Sequence, residues 1–165
     1  MSRRMSKTLV IDATVARSAG LTDHPVSSAC RHVLTTVLQV CHKVAICNRI
    51  EKEWRKHSSG YSAKWLAAMQ SRGKVVRLNA PGNDLSGKLY RLDFEKKDVM
   101  AMLKDAHLVE AALQTDFRII SGDEKAVKLF RAASRHVDEL KAISWNDPVD
   151  DDCVKWLKAG AKKRN

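Results

Sequence analysis

The stretch from Lys104 to Glu124 constrains the fold more than any other part of the chain. Its first half places Ala106, Val109 and Leu113 at helical spacing, and its second half, Phe117 to Ser121, is a short apolar run carrying two isoleucines. Asp105 stands in the helical part and Asp123 just past the run. A helix feeding a buried strand is the repeating unit of a parallel sheet, since the crossover between parallel strands has to lie on a face of that sheet. In open sheets of this kind ligands collect outside the carboxyl ends of the strands, so Asp123 is a site candidate by position alone.

The same unit recurs upstream. Thr8-Leu9-Val10-Ile11 reads as a first buried strand with Asp12 directly after it, and Thr14 follows. Leu21 to Pro25 carries helix-start signals: Thr22 or Asp23 is suited to cap, and Pro25 suits a first helical turn. From Val26 to Cys41 apolar residues keep the helical period, Lys43 to Cys47 is a second strand, and Asn48 is a good cap for the next helix. On that helix Ile50, Glu53, Trp54 and His57 share one stripe, which turns Glu53 toward the core side and Glu51 away from it.

Ser58-Ser59-Gly60 breaks the pattern, Ala63 to Ser71 resumes it, and Lys74 to Leu78 is a third strand. Asn79 to Gly87 reads as a loop, and Lys88 to Phe94 as a short strand with a turn. A helix from Lys96 leads into the Lys104–Glu124 unit; a further helix runs from Glu124 to about Ser134, and Ala142-Ile143-Ser144-Trp145 closes the sheet. The predicted fold is α/β, three layers α/β/α around a parallel sheet of four to five strands. Residues 1–149 form its domain, and residues 150–165 add a C-terminal helix and a basic tail expected to fray.

With 165 residues, 44% of them apolar, the chain can bury a core without staples. Cys30, Cys41, Cys47 and Cys153 show no Cys-x-x-Cys spacing, which argues against a zinc site or a disulfide framework. No apolar run is long enough to span a bilayer, and Met1 to Lys7 lacks a signal-peptide apolar block, so a cytoplasmic protein with no membrane partner is expected. The net charge of +11, from 30 Lys and Arg against 19 Asp and Glu, suits a polyanionic partner.

Four acids occupy comparable places: Asp12 and Asp123 after strands, Glu53 on an inward helical stripe, and Asp105 on a helix flank. Gathered carboxylates raise one another's pKa and oppose folding unless a cation neutralises them. A hard divalent ion is the natural neutraliser, and it can polarise a phosphodiester and activate water near neutral pH. The excess of Lys and Arg would then grip the phosphate backbone around the cut.

These residues resemble a PIN domain, the magnesium- or manganese-dependent ribonuclease fold of many prokaryotic toxins and of some RNA-processing factors. The likeness rests on Leu9-Val10-Ile11-Asp12-Ala13-Thr14 and on Ile46 through Glu53-Trp54. It rests most clearly on Asp105 to Leu113 and Asp116-Phe117-Arg118-Ile119-Ile120-Ser121-Gly122-Asp123. By that resemblance Asp12, Glu53, Asp105 and Asp123 would be catalytic acids holding Mg2+ or Mn2+, with Thr14 and Ser121 as polar helpers. The implied function is an endoribonuclease acting on RNA, the toxin of a toxin–antitoxin pair, with an antitoxin protein and a second copy of the chain as implied partners. Departures from the family pattern are the loop from Asn79 to Gly87 and the closing tail.

Three of the four acids also have a plainer reading, whereas Asp105, bordering an apolar stripe, wants a partner. Asp123 is well placed to cap the helix that follows it, Asp12 is a common kind of residue after a strand, and Glu53 has Glu51 two residues away as a rival. His107 is set aside because a lone helical histidine is usually structural, and Trp54, Trp65, Trp145 and Trp156 suit packing better than base stacking. The alternatives to an enzyme are a PIN-like module that binds nucleic acid or protein without cleaving, and a receiver-like signalling domain. The second lacks an adjacent acidic pair after the first strand.

Overall fold

The computed structural model describes residues 6–79, 84–150 and 152–164. Five short strands, β1 (Thr8–Ile11), β2 (Lys43–Ile46), β3 (Val75–Arg77), β4 (Arg118–Ile120) and β5 (Ser144–Asn146), form one sheet in the order β3-β2-β1-β4-β5. Every pairing is parallel. β1 and β4 are buried throughout or nearly so, as expected for strands covered on both faces. The chain winds from β1 through β2 to β3 on one side, then returns to place β4 and β5 on the other. The order therefore reverses between β1 and β4, and at that point the two crossovers part and leave a crevice at the carboxyl edge.

Eight helices among the described residues make the outer layers: α1 (Ala13–Ser18), α2 (Pro25–Gln39), α3 (Asn48–His57), α4 (Gly60–Ser71), α5 (Leu85–Tyr90), α6 (Lys96–Leu113), α7 (Glu124–Ala133) and α8 (Asp152–Lys158). α6 lies against β1, β2 and β4 with α3, α5 and α7 beside it, while α2 packs with α1, α4 and α8. Val99, Met102, Ala106 and Val109 form the inward stripe of α6, at the spacing its sequence shows. Trp54 and Trp65 stack with ring centroids 5.6 Å apart and send their indole N–H groups to the Ile11 and Leu34 carbonyls, at 2.9 and 2.5 Å. Trp145 stacks on Phe130 and Trp156 is buried, so all four tryptophans are packing residues.

Several details differ from the sequence expectation. His24, rather than Thr22 or Asp23, caps α2 by accepting from the Val26 N–H, with Pro25 in the first turn as expected. Asn48 opens α3 from inside the helix, and the cap position falls to Cys47, whose side chain makes no cap bond. α1 had no separate signal, being only six residues long. Residues 80–83 of the expected Asn79–Gly87 loop lie outside the described residues, as do residues 1–5 with their basic lead.

Leu85 to Gly87 are helical, and Lys88 to Tyr90 continue α5 where a strand was expected. The reason is that Leu85 and Leu89, four apart, are both fully buried beside α6. The C-terminal tail does not fray through Arg164. Trp156 Nε1 donates to the Lys162 carbonyl at 2.6 Å, the Arg164 N–H donates to Ser144 Oγ at 3.0 Å, and the Arg164 guanidinium covers the Trp156 ring. Cys153 and Leu157 of α8 belong to the same core cluster as the sheet, so this helix completes the domain's packing.

Candidate functional site

Asp12 and Ser121 are each the first residue past β1 and β4, the two strands that flank the reversal of strand order. Sheet pairing fixes their closeness: Ile11 is in register with Ile120, and the Asp12 N–H donates to the Ile120 carbonyl at 2.9 Å. Asp12 Oδ2 accepts from Ser121 Oγ at 2.8 Å and from Thr14 Oγ1 at 3.1 Å. Thr14 Oγ1 in turn accepts from the Gly122 N–H at 3.2 Å, and Ser121 Oγ from the Asp123 N–H at 3.1 Å. A closed set of hydrogen bonds thus holds the two strand ends together and presents the Asp12 carboxylate at the sheet edge.

Asp105 reaches the same edge from α6, which runs antiparallel to the strands. Burial pushes the Asp105 carboxyl up to about 6, and the negative charges of Asp12, Asp123 and Glu53 push in the same direction against a small opposing pull from Lys104. Asp105 makes no ion pair among the described residues. Asp105 is thus the acid that feels the other three singled out from sequence.

Glu53 and Glu51 have different partners, and the expected contrast in burial is not seen: the Glu51 side chain is 21% exposed and that of Glu53 36%. Glu51 is held by Arg77 at 2.7 Å and Arg55 at 2.8 Å, and the Arg77 hydrogen bond holds its carboxyl below the usual range. Glu53 is half-buried, with His57 Nε2 3.6 Å away. Asp123 does cap α7, its Oδ1 accepting from the Ala126 N–H at 3.0 Å. Among the described residues no three His, Cys, Asp or Glu side chains are gathered into a ready-made metal site.

Two recesses lie near the acids: Asp123 lines one, and His107, which feels the Asp12 and Glu53 charges, lines the other. One, of about 570 Å3, is lined by Thr14, Arg17, Asp123, Glu124 and Asp147. The other, of about 480 Å3, lies between the start of α3, the end of β3, α5 and α6. Its wall on α6 is a single helical stripe at intervals of three and four: Leu103, Ala106, His107, Glu110, Ala111 and Gln114. Arg49 and Arg77 stand across from it.

Sequence reasoning passed over Asp147, Arg49, His107 and Glu110. Asp147 repeats the position of Asp12, directly after β5, although its Oδ1 is engaged by the Val149 N–H at 2.8 Å. His107 Nδ1 lies 3.1 Å from the Lys104 carbonyl, which can only accept, so Nδ1 carries a proton and Nε2 presents a lone pair in the neutral ring. Burial lowers the His107 pKa, with the Arg49 charge adding to it, which keeps the ring neutral near pH 7. Glu110 carried one available signal: it is an acid inside the run Leu108 to Ala112, whose other four residues are all apolar and buried.

Fold and edge together define a doubly wound parallel α/β domain with interacting acids at its topological switch point. No protein-family model matches the chain, and no curated protein matches it. Among the described residues no helix is long and apolar enough to cross a membrane.

Proposed function

We propose that the chain is a magnesium- or manganese-dependent endoribonuclease of the PIN type, with Asp12, Glu53, Asp105 and Asp123 as the acids around the ion. The observation that carries the reading is the Asp12 carboxylate held at the β1–β4 switch point by Ser121 and Thr14, with Asp105 close enough to feel its charge and those of Asp123 and Glu53. Acids at a switch point, among which only Glu53 has a basic neighbour, His57, fit a hard divalent ion, whose oxygen-only preference matches this donor set. When bound there, such an ion supplies Lewis acidity toward a phosphoryl oxygen and an activated water.

The chain's own residues do the positioning. Thr14 and Ser121 fix Asp12 Oδ2 and leave Oδ1 for the ion or its waters. Arg49, Arg77 and Arg17 line the two recesses on either side, where they meet the phosphates that flank a scissile bond. An antitoxin protein and self-association belong to this reading through the PIN resemblance.

A second reading is a PIN-like module that binds nucleic acid without cutting it, and it is favoured by Asp123 being engaged as a helix cap. Incubation of purified protein with RNA separates the two. The nuclease reading expects cleavage with manganese or magnesium, none with a chelator, and none in Asp12→Asn. Retained cleavage in Asp12→Asn removes Asp12 from the mechanism, and salt-sensitive binding with no cleavage under any ion supports the module.

A further inference from the structure

The recess on the α3, α5 and α6 side has no part in the acid chemistry, yet it is built around a buried carboxylate. Glu110 is only 7% exposed. Among the described residues it makes no ion pair and accepts a single long hydrogen bond, from Ser86 Oγ at 3.5 Å. Burial pushes its carboxyl up, and Ser86 and Arg49 only partly offset this. The carboxylate borders the recess and keeps acceptor capacity for donors arriving with a ligand.

Its surroundings match a flat heterocycle. Leu78, Leu103, Ala106 and Ala111 supply apolar walls, while Asn48, Asn79 and Gln114 bring amides that both donate and accept. At about 480 Å3 the cavity falls within the range of about 300–1,000 Å3 of small-ligand sites. Its mouth has the features that receive phosphate: the Arg49 and Arg77 guanidinium groups, and the first-turn amides of the ten-residue α3, which no side chain caps. His107 of its wall feels the Asp12 and Glu53 charges, which brings a nucleotide seated here near the acid cluster.

We propose that this cavity is a nucleoside subsite that takes an unpaired guanine of the RNA strand, with the Glu110 carboxylate accepting from the Watson–Crick edge of the base. Among the four RNA bases only guanine offers two adjacent donors on that edge, N1–H and the N2 amine, which meet the two oxygens of one carboxylate. Adenine and cytosine pair an amine with an acceptor nitrogen, and uracil places one N–H between two carbonyls, so each sets an acceptor against Glu110. Unpaired bases are the ones proteins read by this edge, in pockets with apolar or planar walls. The subsite rests on the nuclease reading and deepens it by naming the sequence preference; RNA is its source because His107 of the cavity wall is close enough to Asp12 and Glu53 to feel their charges.

The test is equilibrium binding in chelator, so that no cleavage enters. Four labelled RNA octamers, each with one G, A, C or U in a constant context, are titrated onto the full chain, with GMP, AMP, CMP and UMP as competitors. The guanine octamer is expected to bind about tenfold or more tightly than the others, and GMP alone to displace it. In Glu110→Gln, which presents one acceptor and one donor, that preference is expected to vanish. Asp105→Asn is expected to lose cleavage while keeping guanine binding.

Equal affinity for the four octamers, or an unchanged preference in Glu110→Gln with a native melting curve, overturns the subsite. So does GMP bound with an affinity the octamer cannot match, since that assigns the cavity to a free nucleotide. Cleavage without guanine preference removes the subsite alone, and guanine preference without cleavage in any divalent ion removes the nuclease reading alone.

Discussion

Ser121 Oγ donates to Asp12 Oδ2 at 2.8 Å and joins the carboxyl ends of β1 and β4 across 109 residues of sequence. The same hydroxyl accepts from the Asp123 N–H at 3.1 Å, so one side chain orders both strand-end acids. Ser121→Ala leaves a carboxylate oxygen and a main-chain amide short of a partner in a mostly buried setting. The expected cost is about 1–3 kcal/mol by urea unfolding. If the acids hold an ion, the affinity for manganese should also fall about 10–100-fold, read by calorimetry.

Asp105 makes the metal-free protein sensitive to alkali in the range where most proteins are comfortable. Its folded carboxyl titrates at about 6 and its ordinary value is 3.8, so between these the folded state holds a proton that the unfolded chain has released. Stability therefore falls as pH rises from about 4 to about 6 and stays at the lower level above that. With the group partly open to solvent, the expected size is about 1–3 kcal/mol. Asp105→Asn should abolish this part of the pH dependence and unfold later than the parent at pH 7.5 in chelator. A parent and variant with parallel stability curves across pH 4–7 would show that the neighbouring acids do not press on Asp105.

Divalent ion should reverse that penalty, because an ion that binds only the folded state adds stability by mass action. At a hundredfold excess over its dissociation constant the gain is about 2.7 kcal/mol. Manganese is thus expected to raise the melting temperature at pH 7.5, and to raise it little at pH 5, where Asp105 keeps its proton. Asp12→Asn and Asp105→Asn should each lose most of the shift. A shift of the same size in both variants would place the ion elsewhere on the molecule.

The layout of this edge was legible in the sequence because strand ends and helical stripes follow from local periodicity. Asp12 and Asp123 directly follow apolar runs, whereas the stripe of Ile50, Glu53, Trp54 and His57 did not tell Glu53 from Glu51, since Glu51, clasped by Arg77 and Arg55, is the less exposed of the two. The second recess was not legible, because it is assembled from elements distant in sequence. The α6 stripe from Leu103 to Gln114 acquires meaning only when Arg49 and Arg77 stand opposite it, and strand order decides that. α5 was misread for a related reason: Leu85 and Leu89 are too short a pattern to signal a helix until α6 is there to receive them. The tail looked free because its anchors, Trp156 and the Ser144 hydroxyl, are polar handles on residues that read as ordinary packing.

The acid side of the stability curve belongs to His42, which is fully buried between the start of β1 and the end of α8. Its Nδ1 accepts from the Lys7 N–H at 3.1 Å, which leaves the proton on Nε2 to be donated to the Leu157 carbonyl at 2.8 Å. A ring used in both directions this way must be neutral, and burial lowers its pKa below 6.5, with the Leu157 carbonyl opposing. The folded state then binds fewer protons than the unfolded chain below pH 6.5, so the stability tied to His42 is complete above that value and is lost as pH falls through the folded pKa. This slope is opposite to that of Asp105. His42→Leu removes both hydrogen bonds and is expected to cost about 2–4 kcal/mol at pH 7.5. The gap between variant and parent should narrow at pH 5, where the parent has given up part of what its histidine contributes. Urea unfolding at the two pH values reads both quantities, and a gap that stays constant or widens on acidification would mean that the ring accepts a proton without breaking its bond to Lys7.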